Sequence, residues 1–593
     1  MGIVLGLLLA MFAGIQSPPP SEADQILAQL SKIRLDKTQV YSIRDITIRR
    51  DALTIALNRG AIAFLEPVNG RVTGAVFIGS GEIVAISPDP IERQQIFKFT
   101  GTGILNESFQ TAILRFSDNT FEELKKEIAE HAQDEVSSED KAQFETWDAS
   151  VAGRAGGLNL RLMADLLEST KNPVFLAELN GEKRGWFDAV LDLRATEEVS
   201  VFQLRQFGAA AVADIWASFN QRSEARNPES VAHESKTPVE IISYEIDGTS
   251  APGNMIDATV SIRLKSVSDG ARVLNFELSP SLRLSAVGST GDETLPFFRY
   301  ADASGFAVVL RQPLKGAQEL TLTVKYAGEV SGSGPWYPTQ RQQTIPSIKS
   351  TIALPKENSA SRFEYLGHTL IPASYHDQWL IESLGAYLSA MSTEAADSGA
   401  QLGKLLSEVR GELKALDSAG PIWLGPRLVS SLTPNASRAV VGKGLWVIHM
   451  LRMMLRQDGP NRDAKFAAML QEFAETYSGR AASLWDFQHI AEKHAGQKLD
   501  WFFDQWILGT GLPAYTADHK VEGNGTDLNV TGVVSQSGVP DGFQMPVPLY
   551  ADGDYLGTVQ VDASGGQFKF KVNKKPGQIV IDPEMTVLTA IPQ

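Results

Sequence analysis

The spacing of apolar residues changes twice along this 593-residue chain, and this change restricts the fold more than any other feature. Residues 238–355 alternate apolar and polar side chains in short runs, such as Ala258–Leu264 and Leu320–Tyr326. Alternation with a period of two predicts a sheet with one buried face, as in a β-sandwich. From 376 to 515 the period becomes helical, and from 528 onward it returns to two. The sequence therefore predicts a helical domain between two β-rich regions.

The helical region divides into several segments with recognisable ends. Ser483 and Asp486 resemble the capping box that starts a helix, with aspartate in the usual place of glutamate. Gly509 and Gly511 follow the last segment as stop signals. The predicted helices are 376–395, 401–416, 440–457, 461–477, 483–495 and 499–508.

The region before the β-sandwich has a mixed pattern. Strand-like runs fill Val40–Phe116, helical periodicity follows in Phe121–Trp147, and a hairpin is predicted around Asn180 and Gly181. The charged, turn-forming stretch at 226–237 predicts a linker. No motif in this region indicates a particular chemistry.

These patterns define the predicted fold class, a multidomain α+β protein with β-rich amino-terminal domains, a helical domain and a small carboxy-terminal β domain. The first fifteen residues are apolar but shorter than the roughly twenty residues that cross a bilayer, so they predict a signal peptide and export to the periplasm or the exterior. No further segment reaches that length, so we expect no membrane span in the mature chain. The predicted domains are a signal peptide 1–17, a mixed α/β extension 21–235, a β-sandwich 238–355, a helical domain 359–515 and a β domain 520–593.

Composition and the absence of several motifs exclude some classes of function. A net charge of -16 without a cluster of Lys and Arg argues against binding to nucleic acid or anionic membranes. The absence of cysteine excludes disulfides, thiolate metal sites and cysteine nucleophiles. The sequence also contains no G-x-S-x-G elbow, P-loop or dinucleotide-binding fingerprint, so serine hydrolase and nucleotide-binding functions have no support.

A family resemblance appears in the helical region. Residues 375–391 read Tyr-His-Asp-Gln-Trp-Leu-Ile-Glu-Ser-Leu-Gly-Ala-Tyr-Leu-Ser-Ala-Met. They resemble the W-L-x-E-G-x-A-x-Y helix of the membrane alanyl aminopeptidases, which are zinc metallopeptidases of the gluzincin type. The resemblance implies that this domain is gluzincin-like. Further stretches similar to that family are 271–287 in its amino-terminal β domain, 485–515 in its closing helix pair and 577–583 in its last strand.

The same resemblance implies that the zinc site is degenerate. The family's third zinc ligand falls on Glu382, and its H-E-x-x-H motif falls on 359–363, where the chain has Ser359, Ala360 and Phe363. Serine and phenylalanine cannot supply imidazole ligands, and alanine cannot act as the general base. We therefore expect no cofactor, although the family cofactor is zinc, and we expect Glu382 to be a vestigial ligand position without metal.

A second catalytic position has also changed. Residues 440–452 are similar to the family's Y-x-K-G-x-x-V-L-x-x-L helix, in which the tyrosine two places before the lysine donates a hydrogen bond to the oxyanion. With Lys443 in the lysine position, the tyrosine position is Val441, which has no donor. The G-x-M-E-N motif of the family is absent. The sequence thus predicts no catalytic residue.

Three interpretations remain open from the sequence. The residues favour an exported, catalytically inactive homologue that binds peptides or a protein partner. The alternative is an active zinc hydrolase with unrecognised ligands, such as a site built from Glu364, His368, His376 and Glu382. His489 and His494 are five residues apart and do not share a helix face. The third interpretation is a gene product shortened by a deletion near 355–365, without a selected function.

Overall fold

In the computed structural model, the signal peptide predicted at 1–17 and the positions 359–363 lie outside the described residues. Within the described ranges, none of the helices combines the length and the hydropathy needed to cross a membrane. The described residues are 20–130, 135–154, 156–168, 172–207, 210–222, 237–289, 293–300, 304–330, 335–340, 347–350, 370–397, 400–413, 420–478, 480–524 and 527–590.

The amino-terminal region is built on an antiparallel sheet of eight strands in chain order. Because successive side chains of a strand point to opposite faces, Ile113 and Leu114 contribute to different cores. One core lies between the sheet and the helices Pro90–Thr100 and Thr120–Glu130, and the other lies between the opposite face and the helices Glu22–Ser31, Ser138–Ser150 and Asn159–Leu167. The strands are β1 (Leu35–Arg50), β2 (Leu53–Leu65), β3 (Gly74–Ala85), β4 (Leu105–Phe116), β5 (Val174–Gly181), β6 (Gly185–Asp192), β7 (Val199–Phe207) and β8 (Ala210–Phe219). The helices are α1 (Glu22–Ser31), α2 (Pro90–Thr100), α3 (Thr120–Glu130), α4 (Ser138–Ser150) and α5 (Asn159–Leu167).

The second region is a sandwich of a six-stranded and a three-stranded sheet. The smaller sheet is covered on both faces, since Leu274 packs into the sandwich core and its neighbour Val273 packs against the amino-terminal region. Glu168 reinforces this contact by accepting hydrogen bonds from the backbone of Arg272 and Val273, both at 2.8 Å. The strands are β9 (Val239–Ala251), β10 (Met255–Ser266), β11 (Val273–Glu277), β12 (Leu282–Ser289), β13 (Glu293–Thr294), β14 (Phe297–Arg299), β15 (Gly305–Val309), β16 (Glu319–Glu329) and β17 (Ser347–Ser350).

The third region is helical and begins after a short strand. The capping box at Ser483 and Asp486 is confirmed, and each predicted helix begins within four residues of an observed one. The helices are α6 (Gln378–Asp397), α7 (Ala400–Glu412), α8 (Ala436–Leu455), α9 (Ala464–Tyr477), α10 (Leu484–Ala495) and α11 (Asp500–Phe503), and α11 continues into a π-turn at Asp504–Leu508. Short 3-10 turns lie at Gly156–Leu158, Tyr375–Asp377 and Ile422–Leu428, and β18 (Leu370–Pro372) pairs in parallel with β19 (Arg480–Ala482).

The chain ends in two three-stranded sheets that share one hydrophobic core with the helices. Trp506 meets Phe543 edge to face with ring centroids 5.2 Å apart. The prediction of a mixed α+β chain with a β-rich amino-terminal region and a helical portion after it is confirmed at this level. The strands are β20 (Ala514–Asn524), β21 (Asp527–Ser537), β22 (Met545–Ala551), β23 (Asp554–Val561), β24 (Gly566–Val572) and β25 (Ile579–Ile581).

Candidate functional site

Glu382, the predicted vestigial ligand, lies half-buried in α6. Its Oε1 accepts a hydrogen bond of 2.8 Å from the amide of Gln378, four residues earlier on the same helix. This is the usual spacing of side chains that interact along one helix face. The contact is local, and it engages Glu382 with an amide rather than with another metal-ligating side chain.

Val441 lies on α8, which packs closely against α6. Its carbonyl oxygen accepts a hydrogen bond of 3.0 Å from Ser383 Oγ. The two helices can approach because Gly444 has no side chain, and a Cβ there would lie 2.3 Å from Ser383 Oγ. The helix pair that carries the family resemblance is therefore held together by packing and by a side-chain-to-backbone bond.

The residues near Glu382 do not fit a zinc ion. Both ring nitrogens of His376 are engaged elsewhere, at 2.6 Å from the Trp423 carbonyl oxygen and 2.8 Å from Glu197 Oε1. Glu364 and His368, the other members of the alternative site, lie outside the described residues. Among the residues that the structure does describe, no group of three or more His, Asp or Glu side chains is arranged to hold a metal ion. A lone carboxylate is not the three-ligand set that a catalytic zinc requires.

A buried cluster of charged side chains joins the amino-terminal region to the helical region. Arg427 donates two parallel hydrogen bonds to Glu92 on α2, at 2.7 and 2.8 Å. Tyr375 Oη accepts from Arg427 at 2.9 Å and donates to Glu197 at 2.8 Å. Burial alone would lower the pKa of Arg427, but the attraction of Glu92 outweighs it and holds that pKa well above its usual range. Bidentate pairing of this kind fixes the orientation of both partners.

The two partners of His376 both favour its charged form. The Trp423 carbonyl can only accept a hydrogen bond, and Glu197, whose pKa is lowered to about 2, accepts as a carboxylate, so both ring nitrogens of His376 donate. The imidazolium stacks on the Trp423 ring, with centroids 4.2 Å apart and planes 6° from parallel. Burial opposes the charge on His376, but Glu197 outweighs burial and raises the pKa of His376.

Glu197 is correspondingly held as a carboxylate. Burial raises its pKa, but His376 and Arg427 outweigh burial and lower the pKa of Glu197 to about 2. The local sequence positions the helical-region partners through a second capping box, in which Ser374 Oγ and Asp377 fix the turn that carries Tyr375 and His376. The two carboxylates, Glu92 and Glu197, thus face two cations, Arg427 and His376, so the charges of the cluster balance within it.

The charge cluster borders a cavity of about 530 Å³ between the two regions. This volume lies within the range of roughly 300–1,000 Å³ that is common for small-ligand sites. The exposed residues Pro88, Pro90 and Thr196 belong to its lining, so it opens to solvent. Glu382 and Val441 do not line it. Its apolar walls include Ile91, Phe219, Trp423, Trp485 and Leu508.

Sequence reasoning did not identify this cluster, apart from His376, which it considered only as an alternative metal ligand. Glu92 and Arg427 are 335 positions apart. Neither residue belongs to a motif, and no local pattern indicates that the two side chains meet. The capping signals at Ser374 and Asp377 would have located the turn but not its partners.

Comparisons with known proteins find limited similarity. No family model matches the chain. A stretch of 155 residues is 25% identical to transcription initiation factor TFIID subunit 2 of Schizosaccharomyces pombe, covering 26% of this chain and 13% of that protein. A solved structure of a mutant M1 zinc metallopeptidase from Deinococcus radiodurans, bound to a Tyr-Ser-Ala substrate, aligns over 47% of this chain and 96% of its own. Its TM-score is 0.33 and its sequence identity is 12%. The chain thus spans about an eighth of the curated relative that it matches, and these comparisons do not place it in a family.

Proposed function

We propose that this protein is a catalytically inactive homologue of the zinc aminopeptidases that binds a peptide or a protein partner. The main support is the hydrogen bond that Glu382 accepts from Gln378. Glu382 stands at the ligand position that the chain retains, and this bond engages it within its own helix. The residues at the other positions support it, since Ser359, Ala360 and Phe363 stand where the family needs histidine, glutamate and histidine.

Hydrolysis of a peptide bond in this family requires an activated water and a stabilised oxyanion. A single carboxylate does not supply the three protein ligands with which zinc activates water. Val441 has no hydrogen-bond donor for the oxyanion, and loss of one such donor in other enzymes costs about 10²–10³ in rate. The two losses act on different parts of the reaction, so both weigh against turnover.

Binding is the activity that the remaining features favour. A cavity with aromatic walls opens between the amino-terminal and helical regions. The net charge of -16 favours a peptide or protein over nucleic acid. The Schizosaccharomyces pombe protein is named as a subunit of a transcription initiation factor, and a subunit role also favours a protein partner over a hydrolysed substrate.

The proposal is tested by measuring zinc content and hydrolysis on the same purified full chain. We expect no stoichiometric zinc, and no hydrolysis of amino-acid anilides above background with or without added zinc. The variant Glu382→Gln serves as the matched control, because it keeps the size of the side chain and removes its charge. Stoichiometric zinc that is lost in this variant, together with turnover abolished by a chelator, would overturn the proposal.

A further inference from the structure

The buried side chain of His376 lies between two hydrogen-bond acceptors that belong to different regions of the chain. Its Nδ1 is 2.6 Å from the carbonyl oxygen of Trp423, which belongs to the helical region like His376 itself. Its Nε2 is 2.8 Å from Oε1 of Glu197, on the turn that precedes β7 of the amino-terminal region. Neither oxygen can donate a hydrogen bond, since one is a carbonyl and the other belongs to a carboxylate. The geometry therefore fits an imidazolium, which has two donors.

Loss of one proton leaves the imidazole with one N–H and one unprotonated nitrogen, so it satisfies only one of the two acceptors. The bond to Trp423 is the one that persists, because both residues belong to the helical region and their rings stack 4.2 Å apart. The unprotonated Nε2 of His376 then faces the Glu197 carboxylate across the boundary between the regions. Two largely buried acceptors at this distance repel each other and lack a donor, which is costly. Deprotonation therefore weakens the contact between His376 and Glu197.

The neighbouring charges do not replace the lost donor. Arg427 keeps its two hydrogen bonds to Glu92, so this pair continues to join α2 to the helical region. Asp377 is engaged on the other side of the turn, where it accepts from the backbone N–H of Leu484 at 2.7 Å. Among the described residues, the ionisable groups of the cluster are Glu197 before β7, Glu92 on α2, Arg427 on the 3-10 turn Ile422–Leu428, and Tyr375 and Asp377 beside His376.

We propose that His376 is a pH-dependent latch between the amino-terminal and helical regions, and that loss of its proton opens the wall of the interdomain cavity. Glu197, Tyr375, His376 and Trp423 all line this cavity, so separation of Glu197 from His376 widens it. Burial lowers the pKa of His376, but the attraction of Glu197 outweighs burial and raises that pKa above the ordinary 6.5. The latch is therefore closed below about pH 6.5 and opens as pH rises through the raised pKa.

The test measures the distance across this contact in the full chain by pulsed electron paramagnetic resonance. The sequence contains no cysteine, so Thr196→Cys on the turn before β7 and His489→Cys on α10 give two specific positions for spin labels. Both positions are exposed, and Leu484 at the start of α10 bonds to Asp377 beside the latch. We expect a longer distance to appear between about pH 6 and pH 9, and the ratio of long to short distances to rise up to about tenfold per pH unit, as loss of one proton requires.

Glu197→Gln in the labelled chain separates a latch from a general effect of pH. The glutamine carbonyl accepts from Tyr375 as the carboxylate does, and its amide donates to the unprotonated Nε2 of a neutral His376. We expect this variant to keep the short distance throughout the titration. His449→Gln is the matched control, because His449 is also a buried histidine but does not line the cavity. It should show the same pH-dependent change as the labelled chain.

A distance that does not change with pH in the labelled chain would overturn the inference. An equal change in Glu197→Gln, a long distance throughout the titration of that variant, or loss of the change in His449→Gln would also overturn it. Thermal unfolding checks that each variant folds, and the titration of the labelled chain decides the matter where one does not. These outcomes are distinct from zinc-dependent turnover, which would overturn the proposed function.

Discussion

At the residue scale, Glu382, which a sequence motif identifies, makes a weaker contact than Arg427, which no motif identifies. Glu382 is half-buried and bonds to Gln378 on its own helix. Arg427 is almost fully buried and bonds to a carboxylate from another region of the chain. Sequence motifs identify residues by type and spacing, whereas the free energy of a contact depends on burial and on partners far away in the chain.

We expect Glu382→Ala to lower the free energy of unfolding by about 1 kcal/mol or less, since it removes one half-exposed hydrogen bond. Added zinc should not change the melting temperature, whereas a hundredfold excess over the dissociation constant of a real site would add about 2.7 kcal/mol. Glu475→Ala is the matched control, because Glu475 accepts from Gln471 at 2.8 Å with the same spacing. A zinc-induced rise in melting temperature that disappears in Glu382→Ala would contradict this prediction.

We expect Arg427→Met to destabilise the protein by about 3–5 kcal/mol, because it leaves Glu92 buried without its partner. The double variant with Glu92→Gln should recover part of that loss, and chemical unfolding measures both. Arg263→Met removes an arginine from the exposed pair with Glu319, so it should cost less than about 1 kcal/mol. Equal effects of the two arginine substitutions would show that the buried pair does not stabilise the contact between the regions.

At the scale of elements, the close approach of α6 and α8 depends on the absence of a side chain at Gly444. A Cβ there would lie 2.3 Å from Ser383 Oγ and 2.6 Å from Trp379 Cε3. Glycine within a helix is ordinarily less stable than alanine by about 1 kcal/mol. Packing reverses that preference here, because the helices would have to separate to admit a methyl group.

Gly444→Ala should therefore destabilise the protein by about 1–3 kcal/mol, as overpacking of a core does. Gly403→Ala on α7 should instead stabilise it by up to about 1 kcal/mol, since the nearest atom to its Cβ would be Met585 Cε at an ordinary 3.6 Å. Thermal unfolding of the two variants measures the difference. A stabilising effect of Gly444→Ala would mean that α6 and α8 are not held at this distance.

At the scale of the whole molecule, the sequence predicts local structure better than the contacts between regions. Ser483 and Asp486 predicted a helix start correctly, because a capping box forms between residues three positions apart. The contact of Glu92 with Arg427 and the cavity beside it depend on how the first region packs against the third, which periodicity does not record. The core shared by Trp506 and Phe543 depends on the same kind of packing.

Two buried histidines should make the stability of the molecule depend on pH in opposite directions. Burial opposes the charge on His376, but Glu197 outweighs burial and raises the pKa of His376 above the ordinary 6.5. The contribution of His376 to the free energy of unfolding is therefore present below about pH 6.5 and is lost as pH rises through the raised pKa. Burial, with a smaller contribution from Arg452, lowers the pKa of His449 to about 4. His449 is neutral, since its Nε2 donates to the Met585 carbonyl and its Nδ1 accepts from Tyr387. Its contribution is present above about pH 6.5 and is lost as pH falls towards 4.

His376 stabilises the folded state only while it is an imidazolium and Glu197 is a carboxylate. The pKa of Glu197 is lowered from 4.5 to about 2, so its carboxylate is lost only at low pH. We therefore expect His376→Gln to remove a contribution to the free energy of unfolding that is largest between about pH 4.5 and 6.5. The free energy of unfolding is measured by denaturant titration from about pH 5 to pH 8, and its slope against pH should be more positive in this variant than in the unmodified protein. Over the same interval, His449→Gln should make that slope more negative than in the unmodified protein. Equal slopes for His376→Gln and the unmodified protein would mean that the imidazolium does not stabilise the contact between the amino-terminal and helical regions.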